Sequence, residues 1–447
     1  MLTKKYTVAF ILFVILISLL DSCSPTKVVL NKEEDKDEDL ELPEYITELP
    51  DYLFKIRKPI ELYIYKMKID TFPAKISRLK NLRSLFLRDS EISYLPESFG
   101  QLKKMKSLIF LDSDLKKMPQ SFNKLKGLEQ LGLCVFCLDS LSSATICELK
   151  NLKELYLEAI ETLPTCLLEL PKLKKIGVRG FNVAITTSQS ILWQLTNLED
   201  LSIHHETNLE QIPEELGQLQ KLKRLNLMGN NLKKLPKSLW TLTNLEILYL
   251  QDNRFDSSVT VALENINKLK NLKDFRIGAF DKSNSIVSLP ESIGELVDLE
   301  ILELTGAELT SLPQSISSLK KLKRLYLGYN ELTILPDLSS LKKLEELSLY
   351  DNEMTVIPDL SNLTKLEYLS ISNNPIDSIP GLEHLKKLKS LNIAWTKIDT
   401  IPRSTLKKLK SLEKLSIDTH QKYDFKKEYN WEELLPNCEI RVVSEKY

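Results

Sequence analysis

A repeated phrase constrains this chain more than any other feature of it. From Leu82 onward the sequence cycles through L-x-x-L-x-L-x-x-N-x-L-x-x-L-P and then L-x-x-L-x-x-L, most legibly in LKRLNLMGNNLKKLPKSLWTLTNL from Leu222 to Leu245. The leading residues of successive copies are Leu82, Met105, Leu128, Leu152, Leu173, Leu198, Leu222, Leu245, Leu272, Leu299, Leu322, Leu344, Leu366, Leu388 and Leu412, spaced 21 to 27 residues apart. An earlier copy fits with Leu62 and Ile64 in a strand and Phe72-Pro73 in a turn. The register therefore runs from about residue 59 to about residue 417, through roughly sixteen copies. A period of this size means that each copy buries its apolar side only by stacking on its neighbours.

Within a copy, the two leucines of L-x-L face the same way because side chains alternate along a strand. They point inward, and the residues between them point to solvent. Strands stacked at about 4.8 Å would build a concave parallel sheet with an arc of roughly 75 Å. The L-P step turns the chain, and the L-x-x-L-x-x-L half returns it with a spacing that suits a short helix or 3-10 turns. The slot eight after the leading residue holds Asn230, Asn253, Asn330, Asn352 and Asn374. A buried amide there can bond the backbone of adjacent copies and form a ladder. Elsewhere that slot holds Met67, Ser90, Ser113, Phe136, Phe181, Ala307 or Thr396, so the N-terminal half is expected to be less regular. The 27-residue copies from Leu245 and Leu272 are expected to bulge.

The period and phrase resemble those of the leucine-rich-repeat family over about four-fifths of the chain. Copies with L-P, such as Leu95-Pro96, Leu235-Pro236 and Leu312-Pro313, are similar to the plant resistance-type and Shoc2-like class. The resemblance implies an α/β solenoid: a horseshoe with a concave parallel β-sheet and short helices, 3-10 turns and loops on the convex side. It also implies a binding protein rather than an enzyme.

The N-terminus carries an address. After Lys4 and Lys5, Tyr6 to Leu20 forms an apolar run of signal-peptide length, shorter than the roughly 20 residues that span a bilayer. It ends in Leu20-Asp21-Ser22-Cys23, which resembles a bacterial lipobox, with Asp21 atypical. That resemblance implies lipidation of Cys23, which would anchor the protein stably. A signal anchor or plain secretion are the alternatives. Lys32 to Glu41 holds seven acidic and two basic residues and cannot bury enough surface to order itself, so it reads as a flexible tether. It loosely resembles the acidic segments of surface-exported lipoproteins in Bacteroidota-type bacteria. The expected organisation is a signal peptide over 1–22, a tether over 23–45, repeats over 46–425 and a C-terminal cap over 426–447. Leu49-Pro50 through Ile56 reads as an N-terminal half-repeat, and Trp431 to Val443 as a helical turn followed by an apolar strand.

Chemistry-bearing residues are few. The 61 Lys and Arg against 62 Asp and Glu leave a net charge of −1, which gives no bulk attraction to nucleic acid. Only 12 glycines are present, and no phosphate-loop, serine-hydrolase or zinc-protease motif occurs. About 30 residues follow the last repeat strand, too few for an appended catalytic domain. The mature cysteines are Cys134, Cys137, Cys147, Cys166 and Cys438, an odd number, so at least one stays unpaired. Free thiols, a bridge between Cys147 and Cys166, or a metal or redox role for Cys134-x-x-Cys137 all remain open. In His204-His205-Glu206, the strand alternation puts Asp200, Ser202 and His204 on one face, which reads as ordinary surface, ligand contact or a metal site. No metal or cofactor is expected. Lys pairs such as Lys320-Lys321 and Lys386-Lys387 have acidic neighbours and read as a solvated edge.

The solvent side of the strands, at two, four, six and seven after the leading residue, gathers aromatics in two places. Near the start are Tyr63, Tyr65 and Phe86, with Ile109 and Leu111. Toward the end are Tyr326, Tyr329, Tyr350, Tyr368 and Trp395, with Tyr249 upstream. Charged neighbours include Arg276, Glu303, Arg324, Glu346 and Asp351. Rigid aromatics among charges make interface hot spots, although solvent-side aromatics also simply suit β-structure. The expected function is protein binding by an outer-membrane lipoprotein of the cell envelope, facing either the periplasm or the outer surface, with a glycan or host component as further partner types. A structural or adhesion role in the envelope is the alternative.

Overall fold

The computed structural model describes residues 26–30, 48–49, 51–113, 115–116, 118–134, 145–158, 162–180, 187–204, 209–279, 286–419 and 434–443. Two compact units divide the chain, Met1–Leu152 and Lys153–Tyr447. Cys23, the apolar leader, Cys137, His205 and Glu206 lie outside the described residues.

In the first unit, β1 (Thr26–Leu30), β2 (Ile60–Tyr65), β3 (Leu82–Ser90), β4 (Ser107–Ser113) and β5 (Gln130–Cys134) pair in sequence order, all parallel. Strand β1 falls inside the stretch read as a tether, yet it is in register with β2 over all five of its residues, from Thr26 opposite Ile60 to Leu30 opposite Ile64. That part of the tether is therefore sheet. Residues 31–47, which hold the acidic run, lie outside the described residues. The half-repeat appears as a 3-10 turn at Asp51–Lys55 that buries Leu49 and Leu53.

The second unit continues the same construction. Strands β6 (Glu154–Glu158), β7 (Lys175–Arg179), β8 (Asp200–His204), β9 (Arg224–Asn226), β10 (Ile247–Tyr249) and β11 (Asp274–Arg276) are parallel neighbours in order. They are followed by β12 (Ile301–Glu303), β13 (Arg324–Tyr326), β14 (Glu346–Ser348), β15 (Tyr368–Ser370), β16 (Ser390–Asn392), β17 (Lys414–Asp418) and β18 (Glu439–Val443). Strands β2 to β17 are the repeat strands, and β18 adds the short apolar strand of the cap, beside buried Leu434 and Leu435. The leading and strand leucines, for example Leu222, Leu225 and Leu227, are fully buried, as the two-residue alternation requires.

The returning halves are mainly 3-10 turns, such as Glu97–Gln101, Glu214–Gln218 and Glu291–Glu295. Three of them share a lock between copies. Glu97 accepts the backbone N–H groups of Gln120 and Ser121, Glu214 those of Lys237 and Ser238, and Glu291 those of Gln314 and Ser315. The glycine three residues after each glutamate lets the next copy approach. A Cβ on Gly100, Gly217 or Gly294 would stand under 3 Å from Ser121, Ser238 or Ser315. The copy from Leu245 spends its additional residues on an α-helix, Ser258–Leu263, packed inward through Val259 and Leu263. In the copy from Leu272, residues 280–285 lie outside the described set.

The asparagine slot is buried wherever Asn fills it. Asn330 Nδ2 donates to the carbonyls of Leu304 and Leu327, and its Oδ1 accepts from Ala307 and Leu309. Asn253, Asn352 and Asn374 repeat this on Leu227 and Leu250, Leu327 and Leu349, and Leu349 and Ile371. Asn230 donates to Ile203 and Leu227. Each amide thus links the backbone of two successive copies in a site closed to water.

Candidate functional site

The solvent-facing side of the sheet is set by the same alternation that buries the leucines, so each copy presents residues at fixed slots. In the second unit these slots carry a charged lattice from β6 to β14. Glu154 pairs with Lys175 at 3.5 Å and Glu158 with Arg179 at 3.2 Å. Arg276 grips Asp274 with two hydrogen bonds of 2.7 and 2.9 Å and reaches Glu303 at 3.2 Å. The Tyr249 ring lies between two guanidinium groups, with Arg224 and Arg276 each 4.8 Å from its centroid. Its hydroxyl donates to Asp274 at 2.8 Å. Two cation–π contacts and a hydrogen bond fix that ring from three sides. Arg324 donates to Glu346 at 3.0 Å, and the Tyr326 hydroxyl donates to the same carboxylate.

Burial and pairing oppose each other in this lattice. Burial raises the Glu303 carboxyl above its usual range, although Arg276 pulls against it. Burial also raises the Asp200 carboxyl despite Arg224 and Lys175. Burial would lower the Arg276 guanidinium, but Asp274 outweighs it and raises it. The Tyr249 phenol is pushed up to about 12 by burial and then by Asp274. Burial and the Glu346 carboxylate likewise raise the Tyr326 phenol, so Tyr249 and Tyr326 are neutral hydroxyl donors at physiological pH.

Beyond the Arg324–Glu346 pair the face changes character. Tyr329 and Tyr350 meet edge to face, with centroids 5.7 Å apart at 74°. The Tyr350 ring rests on Gly328, where a Cβ would come within 2.1 Å of it, so only glycine leaves room for the ring. Tyr368 and Trp395 follow, both partly exposed. The solvent-side slots of these copies also hold Ser348, Asp351, Ser370, Ser372, Asn373, Asn392 and Ala394. The Ser370 and Ser372 hydroxyls bond each other at 3.3 Å, and Asn392 donates to Ser372 at 3.3 Å.

The aromatics of the first unit are placed differently from the expectation of an open surface. Phe86 is 5% exposed and Ile109 4%, and Tyr63 and Tyr65 pack against them. The Phe86 ring sits 5.8 Å from Tyr63 and 5.9 Å from Tyr65. Phe86 therefore offers a partner almost no surface, and its role is packing. Tyr63 keeps its hydroxyl near Glu61, and its phenol is pushed up to about 12 by burial and by that carboxylate.

The other candidates resolve as follows. Cys147 and Cys166 each take part in a disulfide, and Cys438 is a free thiol. Strand β5 carries Cys134. His204 lies buried at the end of β8. Among the described residues, no group of three His, Cys, Asp or Glu could hold a metal ion. Lys321 pairs with Asp298 at 2.5 Å, and Lys174 and Lys223 flank Glu199, so these lysines belong to a charge-balanced edge. Sequence reasoning missed Arg224, Asp274 and Tyr156 as members of the face, although they occupy the same slots as the residues it named.

Three repeat descriptions match the chain. The leucine-rich repeat region model covers residues 51–183 and 254–378, more than half of the sequence. Leucine rich repeat and Leucine Rich repeats (2 copies) cover 188–255 and 364–408. The chain belongs to the leucine-rich-repeat family. Among solved structures it is similar to a leucine-rich-repeat protein of Leptospira interrogans, at 28% identity and a TM-score of 0.58, over 89% of this chain and 87% of that one. It is also similar in fold to a TDR receptor, at 21% identity and a TM-score of 0.54, over 86% and 72%. A leucine-rich-repeat fold is that of a protein-binding module.

Proposed function

We propose that this leucine-rich-repeat protein is a lipid-anchored component of a bacterial cell envelope that binds a protein partner through the solvent-facing side of its second unit and catalyses no reaction. One observation carries the reading: rigid aromatic rings are held on that face by groups that already satisfy each other. Tyr249 is clamped by Arg224, Arg276 and Asp274, and Tyr350 is seated on Gly328 against Tyr329. Rings that are fixed before binding lose little freedom on contact, which is what an interface hot spot needs. Charges paired within the face are not poised for proton transfer to a substrate.

The address rests on Tyr6 to Leu20 followed by Leu20-Asp21-Ser22-Cys23. Disulfide-bonded Cys147 and Cys166 fit an oxidising compartment outside the cytoplasm. Palmitate labelling of cells with and without globomycin, alongside Cys23→Ala, tests the anchor. Label on the wild type alone supports it, and an unlabelled cytoplasmic protein overturns it. Replacing Tyr326, Tyr350 and Trp395 together by Ala tests the binding surface. Loss of a partner recovered from envelope or host extracts, with the fold intact, is the expected result, and unchanged affinity contradicts it.

A further inference from the structure

The aromatic part of the second unit's face is also its acidic part. At the solvent-side slots of β10 to β17 the carboxylates are Asp252, Asp274, Glu303, Glu346, Asp351 and Asp418. The cations at those slots are Arg276, Arg324 and Lys414, so six negative charges stand against three positive ones. The same slots of β6 to β9 hold Glu154, Glu158 and Asp200 against Lys175, Arg179 and Arg224, which balance. The whole chain carries only −1, so the excess is local to this part of the face.

Some of that charge is answered within the face. Arg276 serves Asp274 and Glu303, and Arg324 serves Glu346. Asp418 accepts from the Trp395 backbone N–H at 2.6 Å, and Asp351 from the neutral Asn373 amide at 2.6 Å. Along the rim, nine residues past the leading one in three successive copies, stand Glu308, Glu331 and Glu353. Among the described residues, Asp351, Glu308, Glu331 and Glu353 pair with no cation. The same position is paired in the first unit, where Glu91, nine after Leu82, meets Lys68 at 3.9 Å. The rings show a parallel contrast. Tyr249 takes the guanidinium groups of Arg224 and Arg276, each 4.8 Å from its centroid. Among the described residues, the partly exposed rings of Tyr329, Tyr350 and Tyr368 carry no cation. The carboxylates are felt there: burial first, then Tyr329, Asp351 and Glu303 push the Tyr350 phenol up to about 12.

We propose that the stretch from β13 to β15 receives a basic segment of a protein partner, whose Arg or Lys side chains stack on Tyr329, Tyr350 and Tyr368 and pair with Glu331, Asp351 and Glu353. A negative field over the face draws such a segment in and turns an acidic one away. A planar guanidinium suits both a ring and a carboxylate, so arginine should be preferred to lysine. This inference rests on the reading of the chain as a protein-binding module and adds the chemistry of what is bound.

The test uses the full chain and a phage-displayed linear peptide library as the probe. Peptides selected on the wild type should be enriched in Arg and Lys over the starting library. Their affinity should fall steeply between about 0.01 M and about 1 M salt. The triple variant Glu331→Gln, Asp351→Asn and Glu353→Gln removes charge at constant side-chain size, and Asn suits the positive φ of residue 351. It should melt like the wild type and bind these peptides about tenfold more weakly, with a flatter salt dependence. Tyr350→Ala should weaken them as well, whereas Glu264→Gln, on the turn-bearing side, should not. Uncharged or acidic peptides that lose binding to Tyr350→Ala would overturn the basic occupant and leave the binding face standing. Basic peptides that bind the triple variant as tightly as the wild type, or that lose as much on Glu264→Gln, would also overturn it. Recovery of no binder on the wild type would contradict both the occupant and the face.

Discussion

The early copies of the first unit and the later copies of the second are written in the same phrase but close their backbones differently. Strands β2, β3 and β4 run for six, nine and seven residues, whereas β9, β10, β13, β14 and β15 run for three. The short ones belong to the copies whose slot holds Asn230, Asn253, Asn330, Asn352 or Asn374. Where Met67 or Ser90 fills the slot, no amide reaches across two copies, and the ladder between strands continues further to satisfy the backbone. Ser90 does part of the work: its hydroxyl accepts from Met67 N and donates to Arg88 carbonyl. Strand length is therefore set by what replaces the strand's hydrogen bonds at its end. Strands β11, β12 and β16 are also three residues long without Asn in their own slot, and in β12 the neighbouring Asn330 serves Ala307 and Leu309.

The two regions also use aromatics in opposite ways, and mutation should separate them. Phe86→Ala should cost roughly 3–4 kcal/mol in urea unfolding, because it empties a buried site. Tyr350→Ala, half-exposed, should cost about 1 kcal/mol and act mainly on binding. Equal costs would erase the distinction between packing and presentation. Next in size, Asn330→Ala strands buried carbonyls and amide groups of two copies and should cost about 2–3 kcal/mol, against about 1 for Ser90→Ala. A Ser90 effect as large as that of Asn330 would break the account of strand length.

The smallest effect is electrostatic. Hydrogen bonds from Lys174 and then Lys223 hold the Glu199 carboxyl near 2, against about 4.3 in an unfolded chain. A depressed carboxyl stabilises the fold above its unfolded value, so this contribution is present above about pH 4.3 and is lost as pH falls toward 2. The site is partly exposed and screened, so the loss should stay below about 1 kcal/mol. Melting of the wild type and Glu199→Gln from pH 7 to pH 2.5 measures it, and the two curves should converge at the acid end. Parallel curves would mean that Glu199 contributes no pH dependence.

Much of the architecture was legible because the repeat writes each slot many times. Leading leucines, the Asn slot, the L-P turn and the solvent-facing positions all follow from one register. What escaped depends on residues a full copy apart. The clamp on Tyr249 needs Arg224 and Arg276, from the copies on either side, and the seat of Tyr350 needs Gly328 one copy earlier. Phe86 looked exposed because its slot faces solvent, yet Tyr63, Tyr65 and Ile109 pack against it. Strand β1 was hidden for a different reason: Thr26–Leu30 lies outside the repeat period and beside an acidic run, so nothing in the phrase announces it.

Central to this account is that the aromatic side of the second unit meets a protein while the opposite, turn-bearing side does not. A photo-crosslinking amino acid placed at position 350, and separately at the exposed turn position 237, tests this in intact cells. The account predicts a discrete protein adduct from position 350 and none from position 237. No adduct from position 350, or the same adduct from both, would contradict it.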